Sequence, residues 1–200
     1  MEGNGYRQVC RYVKNEAGQV AVMVLIAISL FLLLAASYMV DHTWLVKDAD
    51  VRAQGGLERA VKAAALQWSS GGSGEARPLL DEARARQAFC ELLKENLGLE
   101  CNPDDIAWLQ NRPTATPVTL SAQPGAPLEG GRVLAFLVHN DYQPATFDHN
   151  NDPDIPDGVE FKFNEPGVVA VVEFTFKFKF MSGREVPFTR WAAAHLEYIQ

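Results

Sequence analysis

The sequence is poor in the side chains that do chemistry. Three cysteines in 200 residues, Cys10, Cys90 and Cys101, are too few for a disulfide scaffold, and their spacing fits no zinc site. The four histidines, His42, His139, His149 and His195, stand without nucleophile or metal-ligand spacing around them. There is no Gly-rich phosphate loop, no Gly-x-Ser-x-Gly and no His-Glu-x-x-His. No catalytic residue is therefore assigned, and the expectation is a protein that is not an enzyme. An excess of basic charge is also missing. Eighteen Lys+Arg face 25 Asp+Glu, a net charge of -7, and the pI is near 5.1. That balance argues against a nucleic-acid partner, which selects for basic patches. Low complexity is absent too: 48% apolar and 22% charged residues describe a globular chain. The length suits one compact domain, or one small domain with an appendage.

What is present is uneven. The mean hydropathy of -0.10 averages over a run, residues 20–40, that contains no charge at all. A helix of ~20 apolar residues rising ~1.5 Å each crosses ~30 Å of hydrocarbon. A buried core helix of that length would show a polar face, and this run shows none. It reads as a transmembrane helix. The rival is a cleavable signal peptide, with Arg7, Arg11 and Lys14 as its basic region and Ala35-Ala36-Ser37 as a small-residue cleavage site. The run is longer than the ~7–15 residues of a signal core. Arg7, Arg11 and Lys14 precede it, against Lys47 and Arg52 just after, so the basic count leans toward a cytoplasmic N-terminus. The residues beyond the run carry a net charge of -8, compatible with an extracytoplasmic domain.

Along the chain, residues 1–19 read as a cytoplasmic tail and 20–40 as the membrane span. In residues 41–68, Leu45, Ala49, Ala53, Leu57, Ala60, Val61, Ala64 and Trp68 recur at steps of three and four, one helical stripe. The membrane helix is expected to continue outward as an amphipathic stalk, with a kink at Gly55-Gly56. The stripe must pack either on the chain's own C-terminal domain or on neighbouring helices, as a homo- or hetero-oligomer. Residues 69–111 open on a flexible Ser/Gly break at Ser69 to Gly74. A helix follows over residues 77–97, with Leu80, Ala83, Ala88, Leu92 and Leu93 as core face and Gly98 as stop. Asn102 then caps a short helix that has Pro103 in its first turn. Residues 112–131, rich in Pro and Gly, read as a linker with one strand at Val118–Ala122.

Residues 132–200 read as an antiparallel β domain. Arg132 to Val138 is apolar on both faces and suits a central strand. Val172, Phe174, Phe176, Phe178 and Phe180 alternate with Glu173, Thr175, Lys177 and Lys179, a half-buried strand. Ser182-Gly183 turns it into a hairpin with a second strand over Glu185–Ile199, where Ala192-Ala193-Ala194 leaves a helix as the alternative. The fold class expected is thus α+β: an N-terminal transmembrane helix continued by a long amphipathic helix, packed with or tethered to a small antiparallel sheet.

Two constellations carry chemistry. Asp148, Asn150, Asp152 and Asp154 place oxygen ligands at positions one, three, five and seven of one loop, with Asp157 three residues further on, which suits calcium. Against that, Pro153 replaces the turn glycine, Val159 stands where a bidentate Glu belongs, and no helices flank the loop. The plain alternative is a solvated acidic turn. Cys90 and Cys101 lie beyond the span and can meet as a disulfide or remain as two buried thiols. Cys10, on the other side of the span, cannot pair with either.

At its two ends the chain resembles the TadE/TadG family of Flp (tight-adherence) pilus assembly proteins of bacteria. The approach Asn15-Glu16-Ala17-Gly18-Gln19-Val20-Ala21-Val22 is similar to the family's. So are Asp41, Leu45, Gln54 and Glu58 to Leu66 after the span, and Arg190-Trp191-Ala192-Ala193-Ala194 at the far end. The resemblance implies a single-pass structural component of a pilus or related secretion apparatus, in contact with the bilayer and with other proteins of that machinery. Members processed like pilins carry a Glu where this chain has Met23, which implies an uncleaved, TadG-like anchor. The other function compatible with the sequence is a membrane-tethered extracellular binding module stabilised by calcium.

Overall fold

The computed structural model describes residues 4–40, 43, 46–69, 78–110, 116–153, 155–177 and 185–195. They divide into two compact units, Met1–Leu45 and Val46–Gln200. The first holds one helix, α1 (Asn4–Val40), about 55 Å long at ~1.5 Å per residue. The junction to the expected stalk, residues 41–45, is described only at Thr43.

The second unit is mixed helix and sheet. Helix α2 (Val46–Ala65) carries the amphipathic stripe, and Ala49, Ala53, Leu57, Ala60, Val61 and Ala64 are all buried within this unit. Of the two destinations the pattern allows, the stripe takes the chain's own domain. The helix is also shorter than expected. It ends at Ala65, and Trp68 lies exposed in β1 (Trp68–Ser69), paired with β2 (Leu79–Leu80). The expected kink is a different feature: α2 runs through Gly55 and Gly56 as helix. A Cβ at Gly56 would sit 2.6 Å from the side chain of Leu97, whereas one at Gly55 meets nothing within 4 Å. Gly56 is thus a point of close helix approach. Most of the Ser/Gly break, residues 70–77, lies outside the described residues.

Helix α3 (Glu82–Leu97) starts later than the pattern suggests, because Asp81 caps it. Its carboxylate accepts from Arg84 N at 3.1 Å, and Gly98 closes the helix in the left-handed region at φ 65. Its core face is Ala85, Phe89, Cys90, Leu93 and Leu97. Of the face expected from sequence, Leu93 is buried and Leu80 is buried in β2, but Ala83 is exposed and Ala88 and Leu92 are half-buried. The small alanines leave the face free to follow the largest apolar side chain, Phe89. The strand β3 (Leu99–Glu100) leads to α4 (Pro103–Gln110), where Asn102 Oδ1 accepts from Asp104 N at 3.1 Å as the capping pattern requires.

The Pro/Gly-rich stretch is less of a linker than its composition suggests. Strand β4 (Val118–Ala122) has the expected bounds, but it belongs to the main sheet. That sheet runs β3-β4-β5-β8-β9, all antiparallel, with β5 (Gly130–His139), β8 (Gly167–Lys177) and β9 (Glu185–His195). Strand β5 is central, as its two apolar faces demand. Strands β6 (Ala145–Asp148) and β7 (Glu160–Phe163) form a separate hairpin.

Two adjacent residues of β5 show how the layers are arranged. Phe136 packs on Phe89 of α3, ring centroids 4.9 Å apart. Ala135, pointing the other way, clusters with Val171 and Ile155, backed by Phe147 and Phe161 of the β6–β7 hairpin. Helices therefore cover one face of the sheet and the small hairpin covers part of the other. This explains why β8 is buried on both faces from Gly167 to Val172 and alternates only from Glu173 onward. Phe178, Lys179, Phe180 and the turn at Ser182-Gly183 lie outside the described residues, but the register Lys177↔Glu185 joins β8 and β9 as an antiparallel pair.

Candidate functional sites

Residues Gly18–Val40 of α1 are long and apolar enough to cross a membrane. Their large side chains are 48–73% exposed, from Tyr38 to Met23, and the described residues of their own unit leave them uncovered. Serine is no obstacle in such a helix, since Ser37 Oγ donates back to Leu33 O at 2.9 Å. A signal sequence, although its apolar core is usually shorter, can also be long and apolar enough to meet this description, as can a core helix of a soluble protein.

Cys90 and Cys101 form a disulfide, with Cα atoms 5.5 Å apart. It ties the buried face of α3 to the residues that lead into α4. Beside it, Glu100 accepts from Lys94 Nζ at 2.8 Å and from Gln123 Nε2 at 2.7 Å. The Lys94 contact, then the Gln123 contact, holds its carboxyl below the usual carboxylate range.

The acidic loop is a folded turn between β6 and β7. Asp148 Oδ1 accepts from Asn151 N at 3.0 Å, and its backbone carbonyl accepts from Asp152 N at 2.8 Å. Asn150 Nδ2 lies 3.4 Å from Asp148 Oδ2. Ile155 is fully buried and carries the loop onto the sheet. His149 Nδ1 lies 2.8 Å from Ile155 O and ties the turn across. The loop thus organises around one apolar anchor, with Asp148 serving the backbone. Among the described residues no three His, Cys, Asp or Glu side chains gather as a metal site. Asp154 lies outside them, so the expected ligand set is described only at Asp148, Asn150, Asp152 and Asp157.

Of the other histidines, His139 sits between aromatic rings, 5.9 Å from Phe147 and 6.2 Å from Phe163. Its Nε2 is 3.1 Å from Gln143 O. His195 and Lys62 share a cavity of about 260 Å³ with Leu66, Ala193 and Ala194, at the end of α2 and of β9. That brings an ammonium and an imidazole to an apolar wall, with no carboxylate or hydroxyl among the described lining residues.

Two polar clasps have no sequence motif. Asn140 acts as a strand would: its Oδ1 accepts from Leu80 N at 2.6 Å and its Nδ2 donates to Leu80 O at 2.9 Å. Tyr142 donates to Pro78 O at 2.8 Å. The second clasp joins α2 to β9. Asp50 Oδ1 lies 2.5 Å from Arg190 Nη2, an ion pair without the angle of a hydrogen bond, and Gln54 Nε2 donates to Trp191 O at 3.3 Å. Partners far apart in sequence leave no local pattern to find.

The fold and its sites therefore define an α+β protein with an N-terminal apolar helix. Compared with known protein families, with curated proteins and with solved structures, the chain matches none.

Proposed function

We propose that the chain is a single-pass, membrane-anchored structural component of an Flp/Tad-type pilus or related secretion apparatus. Its N-terminus is cytoplasmic and its second unit is extracytoplasmic and non-catalytic. The observation that carries this reading is the charge-free apolar segment Gly18–Val40, exposed in its own unit, in a chain whose second unit is separately compact. Lipid is the solvent such a surface fits. The disulfide in the second unit supports export, because disulfides persist in oxidising compartments. The resemblance at both chain ends supports the pilus assignment. Because the apolar stripe of α2 is buried at home, contacts with the machinery fall to α1 within the bilayer and to the polar surface of the second unit.

The test is co-isolation from detergent-solubilised membranes of a bacterium that expresses the chain with an Flp-type machine. Recovery of the pilus ATPase or its platform proteins is expected. Clean purification without them, from membranes where the machine is assembled, would contradict the pilus role and leave the anchor intact.

A further inference from the structure

Strand β9 is one of the two edge strands of the main sheet, unpaired on its outer side by any strand among the described residues, and is eleven residues long. Long exposed edges offer unpaired donors and acceptors to another strand. In an antiparallel pair, alternate residues turn both backbone groups toward the partner or away from it. Thr175 O accepts from Glu129 N, on the β5 side. Its partner Pro187 on β9 therefore faces outward, and so do Thr189, Trp191 and Ala193 by alternation. Proline has no N–H to offer at that edge. The next two outward carbonyls are both occupied by side chains. Arg190 Nη1 donates to Thr189 O at 2.6 Å, and Gln54 Nε2 donates to Trp191 O at 3.3 Å. Each shield is held by a carboxylate of α2. Asp50 holds the Arg190 guanidinium, and Glu58 accepts from Gln54 Nε2 at 2.8 Å.

The geometry points to a self-association guard: Gln54 and Arg190 close the β9 edge against the β9 edge of a second copy of this chain. At three successive outward positions one bonding group is missing or taken: Pro187 has no donor, and the Thr189 and Trp191 carbonyls already accept from Arg190 and Gln54. The guard is independent of what the protein assembles with. Loosening α2 from the edge would release both shields together, since Asp50, Gln54 and Glu58 occupy one side of that helix at steps of four.

The test uses the full chain in detergent micelles and the double variant Gln54→Ala, Arg190→Lys. Lysine keeps the charge opposite Asp50 but cannot fold back onto Thr189 O as a guanidinium does. The variant is expected to double its sedimenting protein mass as concentration rises. The Trp191 and Ala193 amides should then become protected from hydrogen exchange. Adding Ala193→Pro, which removes an outward N–H only, should return it to the wild-type mass. A variant that keeps the wild-type mass, with those amides exchanging freely and the β8 amides still protected, overturns the proposal. So does association that Ala193→Pro does not reverse. If the double variant does not fold, Gln54→Ala alone, which alters one exposed amide, decides by the same two readouts.

Discussion

Removing either half of the Cys90–Cys101 disulfide opens a closure between residues eleven apart in sequence. A loop of that size is worth about 3 kcal/mol in chain entropy. Cys101→Ser should lower unfolding stability by about that amount, read as the shift in urea midpoint against the wild type. A reductant should produce the same shift in the wild type and none in the variant. Glu100 gives a pH-dependent signature beside it. Its folded-state pKa is depressed by Lys94 and Gln123, so its contribution is present above the ordinary carboxylate pKa and is lost as pH falls through the lower folded value. Glu100→Gln should therefore be slightly less stable than wild type at neutral pH and equal to it in strong acid, with the neutral-pH gap narrowing at high salt. Urea midpoints over a pH series check both. At this scale the sequence was partly legible. Asn102, Pro103 and Gly98 announce helix ends through local chemistry. Asn140, Gln54 and Arg190 act through partners distant in the chain, and no local pattern records them. In the acidic loop the oxygen spacing suggests an ion site, of which Asp154 lies outside the described residues; the buried residue that shapes the loop, Ile155, is a single apolar side chain that no spacing announces.

Helix α2 separates propensity from packing within two adjacent residues. Gly55→Ala meets open space and should stabilise by about 0.5–1 kcal/mol, since alanine is the better helix former. Gly56→Ala gains the same propensity but drives a methyl into buried Leu97, and overpacking of this kind costs about 1–3 kcal/mol. The pair should thus shift the thermal midpoint in opposite directions, and a stabilising Gly56→Ala would contradict the close α2–α3 approach. Phe89→Ala should cost about 3–5 kcal/mol, because the side chain is fully buried against Phe136. Periodicity made the elements legible where one face is buried and the other wet. The α2 stripe and the Val172 to Phe176 alternation are examples. It misplaced the core face of α3, where small alanines on several sides leave the wheel ambiguous. It also could not show that Gly167 to Val172 is buried on both faces, because the second cover comes from β6 and β7.

At the scale of the whole molecule, the central claim joins an anchor to an exported unit. Residues Gly18–Val40 hold no charged side chain, and Val46–Gln200 buries a core of its own. A run without charge is legible in any sequence, whereas the proposed orientation rests on three basic residues against two. The disulfide adds a second, chemical argument for that proposal. The most direct measurement is the intact mass of the protein from alkali-washed membranes, alkylated without prior reduction. The account predicts a chain that still contains residues 1–40 and takes up one alkyl group, at Cys10, with Cys90 and Cys101 oxidised. A chain recovered in the wash that begins near Ser37 would contradict the anchor, and three alkylated cysteines would contradict the exported, oxidised unit.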